Sequence, residues 1–148
     1  MRMLDAATDA DACDAIIREL PEWFGMEEGI RDCAQAVRSQ AGFAAVEKDD
    51  VVGFLTFTTT SETSEITWMG VMAGRRRRGT GRALIEVLIE HLRAEGVPRL
   101  QVKTLSAREP YPPYAETRSF YRSMGFTEEQ ELDIWGPENP AVLLGRDL

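Results

Sequence analysis

The sequence predicts a single α/β domain of the α+β kind: a mixed, mostly antiparallel central sheet flanked by helices, with one parallel β–α–β crossover. Three observations carry this. Runs of β-forming residues follow one another through short turns from 43 to 72, which argues for antiparallel neighbours. The run 65–72 then enters an arginine- and glycine-containing loop and an apolar pattern of helical period. Leu100, Val102 and Thr104 alternate beyond it, so that strand returns beside the earlier one through a helical crossover.

Taken in order, residues 2–4 make a short first strand. Asp9 or Asp11 caps a helix carrying Ala12, Ile16, Ile17 and Leu20, and Pro21 ends it. Trp23 and Phe24 sit in the loop that follows. Residues 27–40 place Ile30, Cys33, Ala34 and Val37 on one helical stripe, closed by Ala41 and Gly42. Strands are expected at 43–47, 51–59 and 65–72, with turns at Asp49-Asp50 and at 61–64. The long helix after Gly81 buries Ala83, Leu84, Val87, Leu88 and Leu92 and stops at Gly96 and Pro98. A proline-rich loop at 106–113 leads to a helix over 114–124, with Thr117, Phe120, Tyr121 and Met124 on one stripe and Gly125 at its end. Residues 126–135 and 141–146 form a last hairpin joined by a loop at 136–140.

The 148 residues suit one continuous core, with no repeat or linker to divide them. Seventeen lysines and arginines stand against 25 acids, a net charge of −8. That balance makes general binding to nucleic acid or to an anionic membrane unfavourable and favours a cationic partner. No run approaches the roughly 18 apolar residues of a membrane span, and no signal-peptide core opens the chain, so a cytoplasmic location is the expectation. Cys13 and Cys33 fall in helices, without metal-ligand spacing, and read as buried thiols. No metal site is expected. His91, the only histidine, lies late on the long helix, away from the expected cleft.

The junction between the 65–72 strand and the long helix suits an anion. The first N–H groups of a helix have no partner within it, and the helix dipole is positive there. Gly79 and Gly81 allow close approach to the backbone. Arg75, Arg76, Arg77, Arg78 and Arg82 add donors that match phosphate. A phosphate or pyrophosphate is the expected guest. The nucleotide P-loop is excluded because Thr80 stands where its lysine belongs, and the dinucleotide fingerprint because Leu84 stands where its third glycine belongs.

The stretch Arg76-Arg77-Arg78-Gly79-Thr80-Gly81 resembles the R/Q-x-x-G-x-G/A loop of the GCN5-related N-acetyltransferase (GNAT) family, with Val71 five residues before Arg76. Phe120-Tyr121-Arg122-Ser123-Met124-Gly125-Phe126 is similar to that family's F-Y-x-x-x-G-F segment. The resemblance implies acetyl-CoA as co-substrate, its pyrophosphate held by Arg76, Arg77, Arg78, Gly79, Thr80, Gly81 and Arg82. It implies that the two parallel strands splay apart, with the pantetheine arm in the gap against the main chain of Met69, Gly70 and Val71. Gly70 would ease that close approach. It further implies the Val71 N–H as oxyanion donor and Tyr121 as the acid that protonates the departing sulfur.

Glu65, six residues before Val71, matches the glutamate base of the histone-acetylating branch. By strand alternation it shares a face with Thr67, Met69 and Val71, and a water chain to bulk is the alternative to it. Two departures stand out. Gln101 occupies the place where another branch carries a glutamate, which excludes a carboxylate base there, and Tyr114 replaces the asparagine that many members carry seven residues before the tyrosine. Tyr114, Tyr111, Pro110, Pro112 and Pro113, with Trp23, Phe24 and the 136–140 loop, are candidates for a substrate-side lip. The expected activity is N-acetylation of a primary amine of a small molecule or peptide by direct attack on the thioester. The alternative is a catalytically weak acyl-CoA-binding or regulatory module of the same fold. The acceptor, the acyl group and the oligomeric state stay open, a homodimer being compatible with the sequence.

Overall fold

Seven strands form one sheet in the order β1-β2-β3-β4-β5-β7-β6. The computed structural model describes residues 1–21, 27–75, 78–108, 111–136 and 138–148. In chain order the elements are β1 (Arg2–Met3), α1 (Ala6–Arg18), α2 (Glu27–Ser39), β2 (Ala41–Glu47), β3 (Asp50–Thr59), β4 (Ser64–Val71), α3 (Thr80–Ala94), β5 (Arg99–Leu105), α4 (Pro112–Ser123), β6 (Thr127–Leu132) and β7 (Ala141–Asp147). Every strand pairing is antiparallel except β4 with β5. The single α/β domain with one parallel crossover is therefore the architecture found.

Helices cover both faces. Leu84, Ile85, Leu88 and Leu92 of α3 pack with Leu55, Ile66, Leu100 and Leu144 of the sheet, and Tyr121, Met124 and Phe126 from α4 and its end join them. On the opposite face Cys13, Ile16 and Ile17 of α1 and Cys33 and Val37 of α2 pack on Ala44, Val51 and Phe54. Burial pushes both cysteine thiols up to about 12, so they are packing groups and not nucleophiles. His91 is half-buried between the ring edges of Phe43 and Phe57.

Several boundaries differ from expectation for physical reasons. The N-cap of α1 is Asp5, whose side chain accepts from the Ala7 N–H at 3.0 Å. Neither Asp9 nor Asp11 caps the helix. Asp9 lies inside α1, nearly sealed from solvent, and takes both arms of the Arg2 guanidinium at 2.7 Å and the Asp5 N–H at 2.8 Å. The β2–β3 turn is Lys48-Asp49, both at positive φ, the conformation that matches the twist of a two-residue hairpin. Asp50 already belongs to β3. Gly42 does not close α2 but lies within β2, where a Cβ would come within 2.3 Å of the Leu55 carbonyl oxygen. Finally, α4 starts at Pro112, because a proline has no N–H to lose in the first turn of a helix.

The Arg2–Asp9 pair ties β1 to α1. The Arg2 guanidinium, the largest influence, holds the Asp9 carboxyl down from 3.8 to about 2. The folded chain therefore binds this proton less readily than the unfolded chain. The resulting stabilisation is complete above about pH 4 and is lost as pH falls toward about 2. Asp9→Asn is expected to lower stability on the order of 1–2 kcal/mol at neutral pH, the exposure of Arg2 reducing the full linkage value. Urea denaturation between about pH 2 and 7 checks this, the variant losing less stability than wild type on acidification.

Candidate active site

The parallel ladder between β4 and β5 is short. Ser64, Glu65 and Ile66 pair with Leu100, Gln101 and Val102, and the ladder ends there, although β4 continues to Val71 and β5 to Leu105. At the same point the β3–β4 register slips: Phe57 faces Ile66, whereas Thr56 faces Trp68. Thr67 is the extra residue of a β-bulge, which bends its strand and increases the local twist. Thr67 Oγ1 is fixed by Thr56 Oγ1 at 2.7 Å and by Gln40 Oε1 at 2.5 Å.

Beyond the bulge both strands turn free main-chain edges to the gap. The Met72 N–H donates to Val52 O across β3 at 2.8 Å. Hydrogen-bonded and non-hydrogen-bonded pairs alternate along an antiparallel ladder, so Met69 and Val71 direct their N–H and C=O groups away from β3 and into the gap. On β5 the Ser106 N–H donates to Pro140 O at 2.8 Å. By the same alternation Lys103 and Leu105 face the gap from the other side. Gly70, between the two gap-facing residues of β4, turns its amide and carbonyl to β3. A Cβ on it would meet Phe54, Ile17 and Ile16 at 3.1–3.3 Å, so its lack of a side chain makes room for α1.

The gap adjoins the N-terminus of α3. Gly79 is the N-cap, at φ 81°, and no side chain caps the helix. Among the described residues, the first helical amide with a partner is that of Ala83, on Gly79 O at 2.9 Å. The N–H groups of Thr80, Gly81 and Arg82 have no partner among the described residues. A left-handed residue leading into an uncapped helix start presents several N–H groups to one point. Nothing lies within 4 Å of a Cβ built on Gly79, whereas one on Gly81 would touch the Phe120 ring at 3.3 Å. Arg78 and Arg82 are exposed and form no ion pair among the described residues. Arg75, by contrast, is paired with Glu47 at 2.9 Å. Arg76 and Arg77, like Trp23, Phe24, Pro110 and Pro137, lie outside the described residues.

The two residues singled out for proton transfer stand on opposite faces of the sheet. Tyr121 belongs to the α3/α4 face. It is buried, its ring set edge-on to Phe120 and Phe126 at 5.3 Å. Burial raises its pKa above the usual phenol value, so the hydroxyl keeps its proton at neutral pH. Glu65 accepts from Gln101 Nε2 at 2.8 Å, and Lys103 Nζ lies 3.2 Å from the same oxygen. Strand alternation had placed Glu65 on one face with Met69 and Val71. The bulge at Thr67 reverses the alternation: Ile66, Met69 and Val71 all pack toward α3, and Glu65 faces the other way. No group of three metal-ligating side chains occurs among the described residues.

Against this geometry the comparisons are informative. The model of the acetyltransferase (GNAT) family matches residues 10–126. The chain belongs to that family. Comparison with curated proteins found no match. Among solved structures, a GNAT-family protein from Desulfovibrio desulfuricans superposes with a TM-score of 0.83 at 22% identity, over 94% of this chain and 92% of that one. The ribosomal-protein-S18-alanine N-acetyltransferase from Escherichia coli gives 0.77 at 20% identity, over 95% and 88%. An aminoglycoside 6'-N-acetyltransferase complexed with coenzyme A gives 0.73 at 16% identity, over 99% and 97%. This acetyltransferase thus has the GNAT fold over nearly its whole length.

Sequence reasoning missed Arg118. It is 5% exposed and its Nη1 donates to Leu105 O at 2.7 Å. The available signal was its spacing: Tyr114, Arg118 and Tyr121 follow at i, i+4 and i+7 and share one stripe of α4.

The crowding around Gly70 makes a direct test. Gly70→Ala is expected to lower stability by about 1 kcal/mol, overpacking outweighing the entropy an alanine saves. A lower urea midpoint with an unchanged slope is the expected readout. Unchanged stability would mean that the glycine serves the gap and not the packing under α1.

Proposed function

We propose that this acetyltransferase is acetyl-CoA dependent and moves an acetyl group to a primary amine of a small molecule or peptide by direct attack on the thioester. The observation that carries the reading is the meeting of two backbone features without partners among the described residues: the amides at the start of α3 and the strand edges between β4 and β5. The first suits a diphosphate and the second an extended chain of amides. Coenzyme A has both in one molecule, so the residues present fit it. Acetyl-CoA supplies an acetyl group already activated as a thioester.

The division of labour proposed combines the described positions with the roles that the family resemblance implies. The amides of Gly79, Thr80, Gly81 and Arg82, with the charges of Arg76, Arg77, Arg78 and Arg82, hold the diphosphate. Main-chain groups of Met69 and Val71 hold the pantetheine amides. The Val71 N–H donates to the carbonyl oxygen as it gains charge during attack. Tyr121 protonates the departing sulfur. Its burial disfavours a lasting phenolate, so the proton it gives to the sulfur as the C–S bond breaks is replaced by the proton that the acylated nitrogen loses, directly or through water.

An acceptor ammonium, with an ordinary pKa of about 10.4, must lose a proton to become nucleophilic. Glu65 on the far face takes it, directly or through water. Lys103, already on Glu65, must share that carboxylate with the incoming amine. Separate positions suit the chemistry, since the amine and the sulfur are different substituents of the tetrahedral centre and each needs its own proton-transfer partner. The acceptors named for two structural neighbours, an aminoglycoside and a ribosomal-protein alanine, are both amines. The −8 net charge favours a cationic acceptor.

The reading is tested by thiol release from acetyl-CoA against a panel of polyamines, aminoglycosides, amino acids and lysine or N-terminal peptides, with at least one expected to turn over. Tyr121→Phe is expected to lower kcat roughly 10- to 100-fold with little change in KM for acetyl-CoA. Full activity in that variant would remove the acid role. Gly79→Ala must place a side chain at positive φ, a strain of roughly 1–2 kcal/mol. It is expected to weaken coenzyme A binding about tenfold in calorimetry. A wild-type protein that binds no coenzyme A at millimolar concentration would end the reading.

A further inference from the structure

Arg118 is a cation sealed inside the α3/α4 face, at 5% exposure. Burying an unpaired charge is costly, and buried guanidinium groups normally face a carboxylate. Among the described residues none pairs with Arg118. Among them its one hydrogen bond goes to the Leu105 carbonyl, at 2.7 Å. A guanidinium has five N–H donors in a rigid fork, so most of its capacity is uncommitted within the described chain.

The direction of the Leu105 carbonyl says where that capacity lies. The Ser106 N–H points to β7. In the trans peptide joining the two residues, the Leu105 C=O points the opposite way, toward β4. The β4–β5 ladder has ended at Ile66 and Val102, so this carbonyl opens into the gap. Arg118 therefore reaches from α4 to the β5 edge of the cleft. On that edge it stands between Tyr114 and Tyr121 of the same helical stripe. Tyr114 stands where the resemblance to the family implies an asparagine. It brings a single hydroxyl in place of an amide's two donors, and burial raises its pKa, so that hydroxyl stays neutral.

We propose that Arg118 is a ligand-binding residue on the β5 wall, donating to a carbonyl oxygen of the pantetheine arm while its other arm stays on Leu105 O. The proposal rests on the coenzyme reading above and deepens it. Arg118 distinguishes the amide-bearing arm, and the start of α3 takes the diphosphate independently. The fork geometry suits this task better than a lysine's point charge, because two nearly coplanar oxygens, one from the strand and one from the ligand, can be held at once.

Calorimetry with two probes separates these roles: intact coenzyme A, and its phosphoadenosine diphosphate part without the pantetheine arm. Arg118→Met is expected to weaken coenzyme A roughly 10- to 100-fold, the usual range for a hydrogen bond to a charged group, and to leave the fragment within about twofold of wild type. Arg118→Gln keeps a donor for Leu105 O and preserves the melting temperature, and is expected to show the same selective loss. Equal losses on both probes would mean a structural role and overturn the proposal. So would a coenzyme A affinity in Arg118→Gln equal to that of wild type. Wild-type protein that binds neither probe would overturn the coenzyme reading and Arg118's role together. Binding of both probes, in a ratio that Arg118→Gln leaves unchanged, would overturn Arg118's role alone.

Discussion

β4 and β5 pair through three residues and then part, and the rest of the site depends on that parting. Parallel strands that stay together satisfy each other's main-chain groups. Here the Thr67 bulge bends β4 where the ladder stops, and Met69, Val71, Lys103 and Leu105 keep edges that no neighbouring strand takes up. Buried main-chain groups without partners are unfavourable, so an edge of this kind persists only beside solvent or a ligand that replaces the missing strand. The bulge is itself held in place by the Thr56–Thr67–Gln40 hydrogen bonds, which anchor it to β3 and to the chain just after α2.

The same bend separates the two residues proposed for proton transfer onto two faces. With regular alternation Glu65 would look toward α3 with Val71, and the proposed acid and base would crowd one side. The extra residue turns Glu65 to the α1/α2 face, beside Gln101 and Lys103, while Tyr121 stays with Phe120 and Phe126 in the dry layer under α3. The apolar layer also holds Arg118, whose charge becomes intelligible once the neighbouring gap is counted as part of its surroundings.

Much of the fold was legible because it rests on local signals. Periodicity marked α2, α3 and α4, alternating and β-branched residues marked the strands, and Gly79-Thr80-Gly81 after the arginines marked the open start of α3. What escaped detection depends on partners distant in sequence. Asp9 looks like a helix cap until Arg2 of β1 is seen across from it. Gly42 looks like a helix terminator until the Leu55 carbonyl is found against its α-carbon. Glu65 was placed on the wrong face because one inserted residue inverts every later side chain in a strand, and no residue type announces that insertion.

Chain order and residue chemistry alone determined the fold class and the anion-ready loop, since each depends on neighbours a few positions away, whereas Tyr121 was singled out by the resemblance of its segment to the family's. Tertiary structure alone decided which way Glu65 faces, that Gly70 serves α1, and that Arg118 of α4 meets a carbonyl of β5. Those outcomes are set by register and packing between segments far apart in the chain, where a shift of one residue or a few tenths of an ångström changes the answer.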